Sequence, residues 1–343
     1  YPDLVAQLLF NRGVTTKKDA EVFLNPSWEQ LHDPLEIFEI EKAIDRIEQA
    51  IEKKEKIFIF GDYDADGICA TSIVWEYLFR ERGADVMPHM PSRSDDGYGL
   101  SEDGVAKLIK EGAQLIITVD CGIRDVEVVA KLKDKVDFII TDHHQPGDEI
   151  PKGVPIVHPN HPKSEYGEKY LCGAAVAWKL VCAIEKKRDP KKFDPKNIKG
   201  IDLAGFATIT DMVDLKGENR VIASLGIAEL KKADRPGIRS LLDEAEVERE
   251  QLESYQIAFV LGPRVNASGR IGDPMDGVRL LTTQSHSKAR SFAQDLGKLN
   301  MERQNMTEKM FEEALSQISD DGFDEMLYFA QSDGWDAGII GLV

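Results

Sequence analysis

Three short apolar runs constrain this chain most. IFIF (57–60), LIITV (115–119) and DFIIT (137–141) each stop at a polar turn that carries aspartate. Runs of four or five residues read as strands buried on both faces. VMPHM (86–90) supplies a fourth strand, and residues 68–82, 101–111 and 124–133 have helical patterns. Strands alternating with helices mean βαβ units and a mainly parallel, doubly wound α/β sheet.

On either side the pattern turns helical. Residues 1–35 form a small helical lead-in with a turn signal at Asn25-Pro26. Ile37, Ile40, Ile44, Ile47 and Ile51 repeat at 3.6-residue spacing, so residues 36–54 predict an amphipathic helix. After about residue 165 strand signals vanish. Helical patterns cover 173–187, 201–212, 219–232, 236–245 and 249–260, and a long one runs from about 285 to 318 before the apolar run MLYFA. The expected organisation is a helical lead-in (1–54), an α/β unit (55–165), a helical part that completes the same domain (166–284), and a connector helix with the start of a further domain (285–343).

Composition excludes several classes. The 343 residues contain 42% hydrophobic and 30% charged residues, 27 Gly and 15 Pro, which is the make-up of a globular protein. No apolar run reaches 18 residues, so no membrane partner is expected. Cys69, Cys121, Cys172 and Cys182 form no CxxC pair, which argues against a zinc ribbon and favours buried thiols in the cytoplasm. The net charge of −18 opposes a polyanionic partner, but unevenly. Residues 307–343 hold one Lys against nine acids, whereas residues 264–306 hold seven Lys or Arg against four acids.

The chemistry lies at the strand ends. IFIF leads into GDYDADG with Asp62, Asp64 and Asp66; LIITV leads into Asp120; DFIIT leads into Asp142, His143 and His144. Ligands of open parallel sheets bind at the carboxyl ends of strands, near a topological switch point. A further acid, Asp211, closes the apolar segment LAGFATITDMV. Such crowded carboxylates repel one another unless cations neutralise them. Mixed carboxylate and imidazole ligands suit Mn²⁺ better than Ca²⁺ or a Cys-rich zinc site. A carboxylate bridging two ions about 3.5–4 Å apart would make a clamp for phosphoester hydrolysis.

Plainer readings compete. DYDADG matches the opening of an EF-hand loop, but the twelfth position is Ile73 rather than Glu, and a strand precedes it. Asp62 could simply cap the next helix, Asp120 could cap a βα loop, and His143-His144 could be a surface pair. Their joint placement at successive strand ends favours the metal site.

These residues carry a resemblance. GDYDADG, VDCG, TDHH and the Asp of ITDMV resemble the four-part signature of the DHH phosphoesterase superfamily. LLFNRGVTTKKDAEVFLNPSWEQLHDP, PSRSDDGYGL (91–100), LCGAAVAWKL, GENR and LGPRVNASGRIGDP (261–274) are similar to its RecJ branch, single-strand-specific 5′→3′ exonucleases of bacterial DNA repair and recombination. The resemblance implies metal ligands at Asp64, Asp66, Asp120, His143 and Asp211, with Asp120 bridging. It places Asp62 and Asp142 behind them as orienting groups, and His144 toward the scissile phosphate. The cofactor implied is Mn²⁺, with Mg²⁺ as the alternative, as one or two ions. The partners implied are single-stranded DNA and a single-strand-binding protein or helicase.

Arg264 and Arg270 flank Asn266 and Ser268 in a small-residue segment that reads as a phosphate-binding loop, or else as a glycine-rich helix-ending loop with surface arginines. Arg93 is expected at the nucleic-acid end, and Tyr98 either stacks on a base or packs within its loop.

Two departures stand out. Many members of the family have His where this chain has Phe60, which would leave one metal a ligand short. The chain also stops at GWDAGIIGLV, where those nucleases continue into a second domain, so a catalytic core cut from a longer protein is expected. Two other functions stay open: a DHH hydrolase of oligoribonucleotides or dinucleotides, and a non-catalytic scaffold of a replication complex. The lead-in and the GPRVNASGR segment oppose the first, and the retained acids and histidines oppose the second.

Overall fold

The computed structural model describes residues 1–91, 99–318 and 327–343. The lead-in contains α1 (Asp3–Phe10) and α2 (Lys17–Leu24), and α3 (Ile40–Lys53) follows. The isoleucine stripe behaves as its spacing predicts: Ile40, Ile44 and Ile47 are buried, and Lys54 closes α3 in the left-handed conformation.

The α/β layer then runs β1 (Ile57–Gly61), α4 (Ala65–Trp75), β2 (Val86–His89), α5 (Glu102–Lys110), β3 (Leu115–Val119), α6 (Val126–Leu132), β4 (Asp137–Thr141) and β5 (Ile156–Val157). A π-helical turn, Glu76–Glu81, extends α4. The sheet order is β2-β1-β3-β4-β5, with every pairing parallel. The order reverses between β1 and β3, so the switch point lies between the ends that carry Asp62 and Asp120. Pro88 is accommodated because β2 is an edge strand, where a missing amide leaves no ladder bond unmade. The two-residue β5 gives no periodic signal, and the sequence reading missed it.

Alternating side chains build two cores. Phe58, Phe60, Ile116, Phe138 and Ile140 pack with α5 and α6 on one face. Ile57, Ile59, Leu115, Ile117 and Ile139 pack on the other with α3, α4 and the helical second half. That half comprises α7 (Gly173–Arg188), α8 (Ile201–Thr210), α9 (Gly217–Leu230), α10 (Pro236–Glu244), α11 (Ser254–Gln256), α12 (Gly262–Ile271), α13 (Met275–Thr282) and α14 (His286–Ile318). Helix α4 is buried on almost every side between the sheet and α7, α8 and α13, which is why its apolar residues show no single stripe.

The segment GPRVNASGR departs from expectation. It is helix α12, not a loop, and is continuous through the π turn Ile257–Leu261 with α11. Pro263 has no amide to donate, and the widened turn just before it absorbs the lost bond. Packing against neighbouring elements outweighs the low helix propensity of Gly262 and Gly269. The helix expected at 249–260 correspondingly begins only at Ser254, after a 3₁₀ turn.

Candidate metal centre

The loop after β1 sets the first three acids. Asp64 Oδ1 accepts from the amides of Asp66 (2.9 Å) and Gly67 (3.0 Å), so Asp64, not Asp62, caps α4. Asp62 Oδ1 accepts from the Tyr63 amide at 2.8 Å. Asp66 is almost fully buried and accepts from the Gly173 (2.6 Å) and Ala174 (2.7 Å) amides at the start of α7. The positive end of a 16-residue helix thus faces the acidic cluster. A Cβ on Gly173 would lie 2.6 Å from Asp120 Oδ1, so only glycine lets α7 come this close.

At the end of β3, Asp120 has φ 62°. Non-glycine residues held there are strained and cluster at functional sites. Thr118 fixes the turn by donating to the Cys121 carbonyl at 2.8 Å. At the end of β4, Asp142 Oδ1 accepts from the amides of His143 (2.7 Å) and His144 (3.1 Å) and lies 2.8 Å from His144 Nδ1. Its Oδ2 accepts from the Ile123 amide at 2.9 Å, which ties the β3 and β4 ends together. Buried His158 places Nε2 2.8 Å from the His144 carbonyl. The sequence reading overlooked His158; its signal was a histidine directly after the short run IV.

His143 stands at the centre. Its Nε2 lies 3.0 Å from Asp120 Oδ1 and 3.6 Å from Asp66 Oδ2, and its Nδ1 lies 3.9 Å from Asp211 Oδ2. Among the described residues, three overlapping groups of potential ligands have donor atoms within 4.8 Å of one another: Asp66, His143 and Asp211; Asp120, His143 and His144; Asp62, Asp64 and Asp120. Asp120 and His143 each belong to two groups. Asp62 and His144, expected beside the ligands, lie within ligand reach themselves. Phe60 is buried in the core of the opposite sheet face, with its ring 5.2 Å from that of His89.

The electrostatics follow from crowding and burial. Burial, then the Asp64 charge, raises Asp62 to about 7. Burial, then Asp66 and Asp64, raises Asp211 to about 8. Burial and neighbouring acids also push Asp120 well above the carboxylate range, and burial raises Asp66. Asp142 goes the other way: burial opposes its charge, but the His144 bond and charge hold it at about 2. Burial likewise opposes the imidazolium of His144, yet Asp142 lifts it to about 9. Asp120 Oδ1 is buried and, among the described residues, accepts no hydrogen bond of good geometry, although His143 Nε2 lies 3.0 Å away. An orphaned carboxylate oxygen amid unneutralised acids fits a divalent cation, and the oxygen and nitrogen donors suit Mn²⁺ or Mg²⁺.

The remaining expected contacts divide. Arg93 and Tyr98 lie outside the described residues. Arg264 is not turned to the centre: its Nε donates to Glu244 Oε2 (2.6 Å) and its Nη1 to the Val260 carbonyl (2.7 Å). It sits about 200° round α12 from Asn266, which faces the β1–α4 loop. Ser268 is fully buried, and its hydroxyl donates to the Val265 carbonyl at 2.7 Å, so it cannot meet a phosphate. Asn266 Oδ1 accepts from the Ala65 amide at 2.7 Å. Arg270, one turn after Asn266, donates to the Gly338 carbonyl at 2.9 Å.

Residues 56–206 match the DHH family, N-terminal domain. The single-stranded-DNA-specific exonuclease RecJ of Bacillus subtilis is 38% identical over 99% of this chain and 42% of its own length. Its Escherichia coli counterpart is 34% identical over 92% of this chain and 56% of its own. Among solved structures, exonuclease RecJ bound to manganese aligns with TM-score 0.78 at 29% identity, covering 89% of this chain and 76% of that one. RecJ from Thermus thermophilus in complex with Mn²⁺ aligns with TM-score 0.81 at 29% identity, covering 97% and 47%. The chain spans about half the length of the curated relatives it matches. A parallel sheet whose strand ends gather the GDYDADG, VDCG and TDHH acids, the matched domain and the similarity to RecJ along almost the whole chain agree: residues 56–206 of this chain are a DHH-type N-terminal domain.

Proposed function

We propose that this chain is the catalytic part of a Mn²⁺-dependent exonuclease that hydrolyses single-stranded DNA in the 5′→3′ direction, with Mg²⁺ as the alternative ion. The observation that carries the reading is the convergence of Asp62, Asp64, Asp66, Asp120, His143, His144 and Asp211 around an unsatisfied Asp120 oxygen. Similarity to RecJ, named a single-stranded-DNA-specific exonuclease, supports the substrate and the exonuclease activity.

Asp64, Asp66, Asp120, His143 and Asp211 would hold the ions, and Asp120 and His143 each belong to two of the ligand groups. Bound there, divalent ions polarise the phosphodiester and stabilise the charge that develops on it. His144 has Nδ1 on Asp142, and Nε2 is the ring nitrogen assigned to the substrate in this reading. Hydrogen-bonded to Asp142, which favours the charged ring, His144 would donate from Nε2 to the phosphoryl oxygen or to the departing 3′ oxygen. Asp142 keeps that ring oriented. A single-strand-binding protein or helicase is the protein partner proposed, and the cytoplasm the location. The four free, buried cysteines support a reducing compartment, and among the described residues no helix is long and apolar enough to cross a membrane.

The test is degradation of end-labelled single-stranded DNA and RNA with Mn²⁺, Mg²⁺ or chelator. Mononucleotides released from the 5′ end of DNA, with metal only, are expected. Metal-dependent attack on short RNA or dinucleotides alone would favour the small-substrate hydrolase, and inertness with bound metal would favour the scaffold.

A further inference from the structure

The amide of Ala65 lies between two proposed metal ligands, Asp64 and Asp66, and heads α4. The first amides of a helix have no partner within it. Asp64 Oδ1 takes the next two, from Asp66 and Gly67. The Ala65 amide is taken by a side chain 201 positions away, Asn266 Oδ1, at 2.7 Å. The donor fixes the orientation of that carboxamide, because only its oxygen can face an N–H.

A second contact sits one turn further along α12. A Cβ on Gly269 would lie 1.9 Å from the Tyr63 carbonyl oxygen, a backbone atom that cannot swing away. From the other side, a Cβ on Gly67 would lie 2.2 Å from the Asp62 carbonyl oxygen. The backbone from Asp62 to Gly67 is therefore held between α12 and the first turn of α4. Asn266 and Gly269 are three residues apart and share the face of α12 turned to this loop.

We infer that Asn266, with Gly269 beneath it, is a positioning residue that sets the metal-binding loop, rather than a contact for substrate phosphate. Metal–ligand distances tolerate errors of only about 0.2 Å. A shift at Ala65 moves the carboxylates on both sides of it. Asp64 is the more sensitive of the two, since α7 holds both oxygens of Asp66 independently, whereas the amides Asp64 accepts from belong to α4 itself. The inference rests on the metal-centre reading above, but it concerns ion binding and not turnover.

The experiment measures Mn²⁺ affinity by calorimetry, melting in chelator, and metal-free binding of a single-stranded oligonucleotide. The chains compared are the parent, Asn266→Ala and Asn266→Asp. Losing an outer partner of a ligand costs about 10–100-fold in metal affinity, and Asn266→Ala is expected to fall in that range. Asn266→Asp keeps an acceptor of the same shape and is expected to restore the parent affinity. Oligonucleotide binding without metal is expected to be the same in all three. Parent-like Mn²⁺ affinity in Asn266→Ala would overturn the inference. So would loss in both variants, or weakened oligonucleotide binding with Mn²⁺ affinity intact. If Asn266→Ala does not fold, Asn266→Asp decides alone: parent affinity supports the inference and lost affinity overturns it. None of these readouts requires hydrolysis, so failure of the exonuclease assignment is distinguishable from failure of this one.

Discussion

Asp142 and His144, two residues apart, form a carboxylate–imidazole pair at 2.8 Å, and the same carboxylate oxygen also takes the His144 amide. The pair fixes the direction of the ring and favours its charged form.

Replacing Asp142 with Asn should therefore disturb His144 before it disturbs metal binding. In the metal-free protein the His144 titration should drop from about 9 toward the ordinary histidine range. Turnover should fall by roughly 10²–10⁴-fold, the scale of a general acid–base contribution, with a small change in KM. Imidazole NMR titration and steady-state kinetics check the two halves. An unchanged His144 titration would remove Asp142 from its orienting role.

Asp120 should be indispensable for ions and dispensable for folding. Asp120→Asn keeps a residue type that tolerates φ 62°, whereas Ala would add backbone strain. Removing a buried acid that must take up a proton on folding should raise the melting temperature in chelator, while Mn²⁺ binding and hydrolysis are lost. Near-normal turnover in this variant would eliminate a shared carboxylate between the ions.

The pH dependence has opposite contributions. Asp62 and Asp211 have raised values of about 7 and about 8, so the folded state binds their protons more tightly than the unfolded chain does. Their contribution is most favourable near pH 4 and is lost as pH rises through about 8. Depressed Asp142 stabilises above the ordinary Asp value, and this is lost as pH falls toward 2. Raised His144 stabilises below the ordinary His value, and this is lost as pH rises through about 9. From pH 5 to pH 8.5 the metal-free chain should melt at progressively lower temperature. Mn²⁺ should raise the melting temperature more at pH 8.5 than at pH 5, because protons compete for the same oxygens. Differential scanning calorimetry with and without Mn²⁺ tests both; equal shifts at the two pH values would contradict it.

Arg264 should prove structural. Its bond to Glu244 lies between α12 and α10, and Arg264→Ala should cost about 2 kcal/mol, the scale of a charged hydrogen bond left unmade. The salt dependence of oligonucleotide binding should not change. A loss of about 0.7 in the logarithmic salt slope would instead assign it a phosphate contact on single strands.

The sheet was legible because burial on both faces leaves a strong signature in IFIF, LIITV and DFIIT, and because acids follow each run. Helix α14 was legible from its length and spacing. What escaped was set by tertiary contacts. Nothing local distinguishes Asn266 from a phosphate ligand, since its partner is 201 residues away. The helical state of residues 262–271 depends on neighbours that accept glycine at close range. Ser268 looked available because a buried serine and a surface serine read alike. Which acid caps α4 depends on backbone angles at the turn, and the sequence pattern does not carry these.

The bond between Ala65 and Asn266 also orders events during synthesis. The strand-end acids leave the ribosome long before α12 does. At 5–20 residues per second, about 10–40 s separate Ala65 from Asn266. Through that interval the nascent sheet carries its carboxylates without the helix that sets their spacing. A chain still being made would thus hold ions more loosely than a finished one, and the centre matures only when the second half docks.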